Sequence, residues 1–153
     1  TFLDDLRRIL DTTGMPARWL ELEITESIAM HDITKTAALL KNVSELGMTI
    51  AIDDFGTGHS SLAYLKQLPV DYLKIDRTFV RDTPGDKEDS AIVRTIITMS
   101  RTLDGRVIAE GVETEEQLDF LRQEGCDLAQ GYFLSKPIPI DELKTFLRQH
   151  DAG

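Results

Sequence analysis

Charged or amide side chains stand at the same relative position in five short apolar runs of the sequence. The runs are Trp19–Thr25, Met48–Asp53, Tyr72–Asp76, Val107–Glu110 and Leu128–Phe133. Their polar residues near the C-terminal end are Glu23, Asp53, Lys74, Glu110 and Gln130. Asp, Glu and Lys are depleted in strands and are rarely buried without a partner. One such residue is an ordinary solvated strand end, whereas five in a common register indicate a shared site.

The residue types in this set favour a divalent cation. Ligands sit beyond the carboxyl ends of parallel strands, so these side chains are expected to meet there. Converging carboxylates repel one another unless a cation lies between them. Oxygen donors without a Cys or His cluster favour Mg²⁺ or Mn²⁺ over zinc. His31, His59 and His150 show no metal-binding spacing and are interpreted as surface or loop residues.

The segment Asp-Asp-Phe-Gly-Thr-Gly at 53–58 is the densest of these signals. Two adjacent carboxylates, Asp53 and Asp54, at a strand end can serve two metal ions. The two glycines allow a sharp turn and a close approach to a ligand. The alternative is an ordinary strand–loop–helix turn, in which Asp54 and Thr57 cap backbone groups.

Helical periodicity in the intervening segments predicts the elements that position these residues. Helices are expected over Phe2 to about Thr12, Asp32–Leu46, Ser60–Gln67, Lys87–Leu103, Glu115–Glu124 and Ile140–Gln149. A loop is expected over Asp82–Asp89. Alternating strands and helices predict βαβ units and one parallel sheet of five neighbouring strands, with helices on its outer side.

Helix ends carry recognisable capping residues. Left-handed C-caps are predicted at Gly14, Gly47, Gly105 and Gly125. Thr114 and Gln117 have the spacing of a capping box. Asp32 or Thr34 is expected to cap the helix that follows the first apolar run.

Composition excludes some classes of function. A chain of 153 residues suits one domain. Its net charge of −10 argues against a DNA or RNA polymer as partner, but not against a small phosphate ligand held through divalent cations. The sequence has no run of about 18 apolar residues, which is the length that would predict a membrane span. Cys126 is alone, which indicates a packing residue in a reducing cytoplasm.

Five ordered motifs resemble those of the EAL domain of cyclic-di-GMP phosphodiesterases. They are Leu22–Ser27, Asp53–Gly58, Leu73–Asp76, Ala109–Glu113 and Gln130–Tyr132. The resemblance covers nearly the whole chain. It implies that the intact parent domain hydrolyses cyclic-di-GMP to linear pGpG with Mg²⁺ or Mn²⁺ in a two-metal site.

The resemblance also implies roles for individual residues. Glu23 and Asp53 are similar to metal ligands, with Asp53 bridging two ions, and Asp54 is similar to a ligand of the second ion. Lys74 resembles the residue that orients the attacking water and offsets charge. Glu110 resembles a residue that positions the second ion or its water.

Two further residues and several partners follow from the same resemblance. Glu26 resembles the glutamate that anchors the loop at 53–58, which takes part in dimerisation and activity control. Gln130 resembles a site-lining hydrogen-bonding residue. The family implies a homodimer, upstream sensory or diguanylate cyclase domains, and a cytoplasmic location, either free or as part of a membrane-anchored protein.

The family's Glu-Ala-Leu motif and a further Asn ligand are not in this sequence, which begins with Thr1 in what reads as a helix. We therefore expect residues 1–153 to be the C-terminal part of a single EAL domain. The expected fold is a partial TIM-like (β/α) barrel without its N-terminal strands, since a complete barrel takes about 250 residues. We expect this chain alone to be inactive and to self-associate through open strand edges.

Two other functions remain open from the sequence. A catalytically inactive module that senses cyclic-di-GMP or binds a protein keeps the fold without turnover. A different metal-dependent barrel enzyme is the third possibility. The residues preceding Thr1 would decide between an active phosphodiesterase and an inactive sensing or protein-binding module.

Overall fold

Five parallel strands in chain order form one sheet in the described part of this protein. The computed structural model describes residues 1–58 and 62–150, without the side chain of the last of these. The strands are β1 Glu21–Thr25, β2 Thr49–Phe55, β3 Tyr72–Ile75, β4 Arg106–Glu110 and β5 Leu128–Gln130. Each pairs in parallel with the next, in the order β1-β2-β3-β4-β5. The predicted α/β class and strand order are confirmed.

Helices connect the strands and flank the sheet. They are α1 Phe2–Thr13, α2 Glu26–His31, α3 Ile33–Glu45, α4 Leu62–Leu65, α5 Arg77–Val80, α6 Lys87–Thr102, α7 Glu115–Glu124 and α8 Ile140–His150. The helices α2 and α5 were not predicted, because six and four residues are too short to show a periodic apolar stripe. Side-chain caps start both of them. Thr25 Oγ1 accepts from Ile28 N, and Asp76 Oδ1 accepts from Thr78 N.

Three predicted strand boundaries are wrong by two or more residues, and the others agree to within one residue. Trp19 lies in a 3₁₀ turn, Ala17–Trp19, so β1 begins two residues later. β2 continues through Phe55, beyond its predicted end. β5 ends at Gln130, because the chain turns there and Phe133 N donates to the carbonyl of a β4–α7 loop residue, Val112.

The predicted caps are mostly confirmed. Gly14, Gly47 and Gly125 have positive φ. Gly105 does not, and the left-handed residue at that helix end is Asp104, with φ 57°. The capping box of Thr114 and Gln117 is present, and Asp32 Oδ1 accepts from Lys35 N at 3.1 Å. Of the predicted helix Ser60–Gln67, α4 accounts for the middle; Ser60, like His59, lies outside the described residues.

One face of the sheet packs under helices and forms the core. The buried strand residues are Ile50, Ile52, Leu73, Ile75 and Val107, and the buried helix residues packed with them include Leu40, Val43, Val93, Ile96 and Ile97. Burying one such side chain stabilises the fold by about 1.5–3 kcal/mol. Because side chains alternate along a strand, this packing directs the polar residues of the same strands to the opposite face.

Aspartates fix the amino-terminal ends of two strands. Asp71, just before β3, accepts a hydrogen bond from Ile50 N of β2 at 2.8 Å. Asp127, just before β5, accepts from Val107 N of β4 at 2.8 Å. We call Asp71 and Asp127 the base carboxylates. Each satisfies a backbone N–H at a strand start and so sets the register of that strand against its neighbour.

Cys126 is half-buried, as its predicted packing role requires. Burial raises the pKa of its thiol to about 11, so the group stays protonated. None of the helices within residues 1–58 and 62–150 has the length and apolar character needed to cross a bilayer.

Candidate active site

A buried lysine lies among three carboxylates at the carboxyl-terminal ends of β1–β4. Lys74 Nζ lies 2.8 Å from Glu23 Oε1, 2.8 Å from Glu110 Oε1 and 3.2 Å from Asp53 Oδ1. We call these four residues the lysine cluster. Each comes from a different strand, so the cluster forms only when the parallel register is in place. Four of the five residues singled out by their common register are thus brought into contact.

The lysine cluster has an excess of negative charge. Lys74 is 5% exposed. Burial by itself lowers the pKa of its ammonium group, but the hydrogen bonds to Glu110 and Glu23 outweigh burial and raise that pKa well above its ordinary value. Lys74 therefore stays charged. One ammonium group neutralises one of three carboxylates, so the site retains an attraction for a further cation.

Asp53 carries the least satisfied oxygen of the cluster. Its Oδ1 is within ion-pair distance of Lys74 Nζ but outside hydrogen-bond geometry, so this buried atom has no hydrogen bond within the described residues. A buried polar atom without a hydrogen bond costs about 1–3 kcal/mol, and the ion pair with Lys74 offsets only part of that cost. An oxygen of this kind indicates a place where an ion or ligand binds.

A second carboxyl pair lies beside the lysine cluster. Asp54 adopts a left-handed backbone, with φ 54°, and its carboxyl group lies beside that of Asp76. Burial and this contact raise the pKa of Asp54. For Asp76, burial alone would raise the pKa, but hydrogen bonds from the Thr78 hydroxyl and N–H outweigh it and lower the pKa. Asp54 is thus the member of the pair that holds a proton more readily.

Asp76 is a site residue that the sequence reasoning did not select. The available signal was its position two residues after Lys74, which places it on the same side of the chain. Its position at the end of the run is equally typical of a helix cap. In the structure Asp76 has both roles, since it caps α5 and contacts Asp54.

Glu26 holds the loop that follows β2. Its side chain is 2% exposed, and Oε2 accepts from Gly56 N at 2.9 Å and Gly58 N at 3.2 Å. A Cβ atom at Gly58 would lie 2.6 Å from Glu26 Oε1, so only glycine allows this approach. The loop next to Asp53 and Asp54 is therefore tied to the start of α2.

Gln130 lies at the margin of the site. It pairs in register with Glu110, and paired residues of parallel strands share a face. Its side chain is exposed, and the ion contacts of Lys74 are to the three carboxylates instead. The structure thus places Gln130 beside the lysine cluster without a contact to Lys74.

The donor chemistry fits a hard divalent cation. Glu23, Asp53 and Asp54 offer carboxylate oxygens, and the unsatisfied Asp53 Oδ1 is the strongest indication among them. In the described parts of the chain, no group of three or more His, Cys, Asp or Glu side chains is arranged to hold a metal ion by itself. A cation at Asp53 therefore needs further ligands from outside these residues.

Comparison with protein families matches residues 1–137 to the EAL domain. The chain belongs to the EAL domain family. Its sheet is accordingly an open, partial (β/α) barrel. The fold class and the family expected from the five motifs are both confirmed.

Named relatives match this chain over most of its length. It is 48% identical over 150 residues to the cyclic di-GMP phosphodiesterase NbdA of Pseudomonas aeruginosa, a match that covers 98% of this chain and 19% of NbdA. The c-di-GMP complex of the PaMucR phosphodiesterase superposes with a TM-score of 0.89 at 45% identity, covering 92% of this chain and 57% of that one. The EAL domain of Mycobacterium smegmatis DcpA gives 0.88 at 43%, covering 97% and 66%. The chain spans about a fifth of NbdA.

Proposed function

We propose that these residues belong to a metal-dependent phosphodiesterase that hydrolyses cyclic-di-GMP to linear pGpG. The observation that carries the proposal is the lysine cluster, in which Glu23, Asp53 and Glu110 converge on Lys74 at the carboxyl end of a parallel sheet. The names of NbdA and the PaMucR complex support cyclic-di-GMP as the substrate. Residues 1–153 form the C-terminal part of one EAL domain in this proposal.

In this proposal Glu23, Asp53 and Asp54 would hold two Mg²⁺ or Mn²⁺ ions. Bound divalent ions lower the pKa of a coordinated water and stabilise negative charge on a phosphoryl group. The Asp53 Oδ1 atom, which makes no hydrogen bond within the described residues, supports Asp53 as one of the residues that would hold a cation. The excess of negative charge around Lys74 supports cation binding without any His or Cys ligand.

Four of the chain's own residues have further tasks in hydrolysis. A water oxygen forms a bond to phosphorus while the bond from phosphorus to a ribose 3′ oxygen breaks. The water gives up one proton, and the released 3′ oxygen takes up one. Lys74, held between carboxylates, orients that water by hydrogen bonding and offsets charge that develops on the phosphoryl oxygens. Glu110 accepts from the same ammonium group, and Gln130 lines the site beside it. Glu26 keeps the loop at 53–58 in its active position.

Product analysis tests the proposal. The complete gene product containing these 153 residues is incubated with cyclic-di-GMP and Mn²⁺ or Mg²⁺, and nucleotides are separated by chromatography. We expect linear pGpG, its loss on chelation with EDTA, and its loss in Asp53→Asn. Unchanged cyclic-di-GMP in the presence of both metals would contradict the proposal. Tight binding of cyclic-di-GMP without turnover would support a sensing module instead.

The assembly and location of the protein remain predictions. We expect a homodimer, because large apolar side chains such as Trp19, Tyr64 and Ile140 are at least half exposed in the single chain. Sedimentation of the gene product at several concentrations measures this, and a monomer throughout would contradict it. Upstream sensory or cyclase domains and a cytoplasmic location would suit an intracellular nucleotide substrate.

A further inference from the structure

Gln117 makes one hydrogen bond more than its position in the helix requires. It stands in the first turn of α7, is 5% exposed, and forms a capping box with Thr114. Its Oε1 accepts from Glu113 N at 2.7 Å and Thr114 N at 3.1 Å. Its Nε2 donates to the backbone carbonyl of Arg81 at 2.8 Å, 36 residues away.

The extra bond distinguishes glutamine from glutamate at this position. A capping box needs only an acceptor at the third helical residue, and glutamate or glutamine serves equally. Only the amide can also donate to a carbonyl oxygen. The bond to Arg81 is therefore not explained by the helix cap. It links the start of α7 to the residue that ends α5.

Both ends of this link lead to the lysine cluster. α5 begins directly after Asp76, which contacts Asp54 and follows Lys74 by two residues. On the other side, Glu113 follows Glu110 by three residues, so Gln117 holds the β4–α7 loop close to where β4 ends.

The β4–α7 loop also packs directly on α5. Gly111, the residue after Glu110, has φ 71°, and a Cβ atom there would lie 2.5 Å from Arg77 Cβ of α5. Such a close approach is kept only if α5 and the loop are held together. The β4–α7 loop therefore contacts α5 at its first residue, Arg77, and the bond from Gln117 holds the start of α7 to Arg81, which follows the last residue of α5.

We propose that Gln117 is a positioning residue, which holds α5 against the β4–α7 loop and so keeps Asp76 and Glu110 in place at the site. The catalytic consequence rests on the proposed phosphodiesterase function. The structural part, the clamping of α5, does not. A side chain that acts in this way lowers turnover by about 10- to 100-fold when it is changed, as the outer partners of ligating residues do.

The informative substitution is Gln117→Glu. It keeps the acceptor for Glu113 N and Thr114 N, and replaces the donor by an oxygen that repels the Arg81 carbonyl. In the complete gene product we expect kcat for cyclic-di-GMP to fall about tenfold, with KM within about threefold. We also expect the melting temperature to fall by about 4–8 °C, because the new carboxylate is buried against the Arg81 carbonyl.

Thr114→Ala is the matched control. It removes the acceptor for Gln117 N but leaves the bond to Arg81. A lost N-cap lowers the melting temperature by about 4 °C, and kcat should stay within about twofold. Equal losses of kcat in the two variants, each in step with the melting temperature, would reduce Gln117 to a helix cap and overturn the proposal.

Amide hydrogen exchange tests the clamp without any turnover. Gln117→Glu should speed exchange in α5, at Phe79 N and Arg81 N, and leave Leu118 N protected; Thr114→Ala should do the reverse. If the wild-type gene product does not hydrolyse cyclic-di-GMP, the phosphodiesterase proposal fails and exchange alone decides on the clamp. Unchanged exchange in α5 of Gln117→Glu would overturn the clamp in either case.

Discussion

Acidic side chains lie at both ends of the parallel sheet, but their partners differ. At the amino-terminal end, the base carboxylates Asp71 and Asp127 each accept from one backbone N–H at 2.8 Å. At the carboxyl-terminal end, carboxylates of three strands share a single ammonium group, and Asp53 Oδ1 makes no hydrogen bond within the described residues. Carboxylates satisfied one by one stabilise the fold, whereas carboxylates left in excess are available for chemistry.

The largest effect is expected at Asp53. Asp53→Asn removes a charge from the cluster but keeps the shape of the side chain. Turnover of cyclic-di-GMP should fall about a thousandfold, because several kcal/mol of transition-state stabilisation depend on this group. Glu23→Gln should act in the same direction. Steady-state assays at saturating metal measure the loss, and a rate near wild type for Asp53→Asn would break the comparison at its active end.

A smaller loss of turnover, with a loss of stability, is expected for Lys74→Met. The substitution leaves three carboxylates facing one another without their cation. We expect turnover to fall about a hundredfold, comparable to removing one charge-stabilising donor. The free energy of unfolding should fall by about 2 kcal/mol, less than for a fully buried pair because Glu23 is half exposed. Urea denaturation measures the second effect, and a more stable variant would show that Lys74 is not needed to hold the carboxylates.

Glu26 combines features of the base carboxylates and of the carboxylates in the lysine cluster. It is close to the active end, yet it resembles the base carboxylates in accepting backbone N–H groups, here Gly56 N and Gly58 N. Glu26→Ala should leave both donors without their carboxylate and loosen the loop. We expect about a tenfold loss of turnover, since small displacements of reacting groups are costly. Faster amide exchange at Gly56 and Gly58 should accompany it, and an unchanged loop would contradict the proposed anchoring.

The smallest effect on turnover is expected for Asp71→Ala. The variant leaves Ile50 N without its side-chain acceptor, which should lower the free energy of unfolding by about 1–2 kcal/mol. Turnover at a temperature well below unfolding should stay within twofold of wild type. A tenfold fall in kcat at unchanged folding would mean that the base carboxylates also act on the site. That result would contradict the division between structural carboxylates at one end of the sheet and functional carboxylates at the other.

The sequence predicted what repeats along the chain and missed what depends on distant contacts. The common strand register of their polar side chains indicated Glu23, Asp53, Lys74 and Glu110, because side chains alternate along a strand and equivalent positions of paired strands face the same side. The helix α5 was missed, since four residues carry no period, and with it the second role of Asp76. The bond from Gln117 to Arg81 joins residues that are 36 positions apart, so no local sequence pattern predicts it. Gly105 was mistaken for the cap that Asp104 provides.

The most direct test is to measure how substitutions at the two ends of the sheet change the affinity for Mn²⁺. Free Mn²⁺ is measured by electron paramagnetic resonance during titration of wild type, Asp53→Asn and Asp71→Asn. Both substitutions remove one negative charge, and the side-chain amide oxygen introduced by Asp71→Asn can still accept from Ile50 N. We predict at least about tenfold weaker binding for Asp53→Asn and a dissociation constant within twofold of wild type for Asp71→Asn. Equal binding by all three proteins would contradict the assignment of a cation site to the carboxyl-terminal end of the sheet.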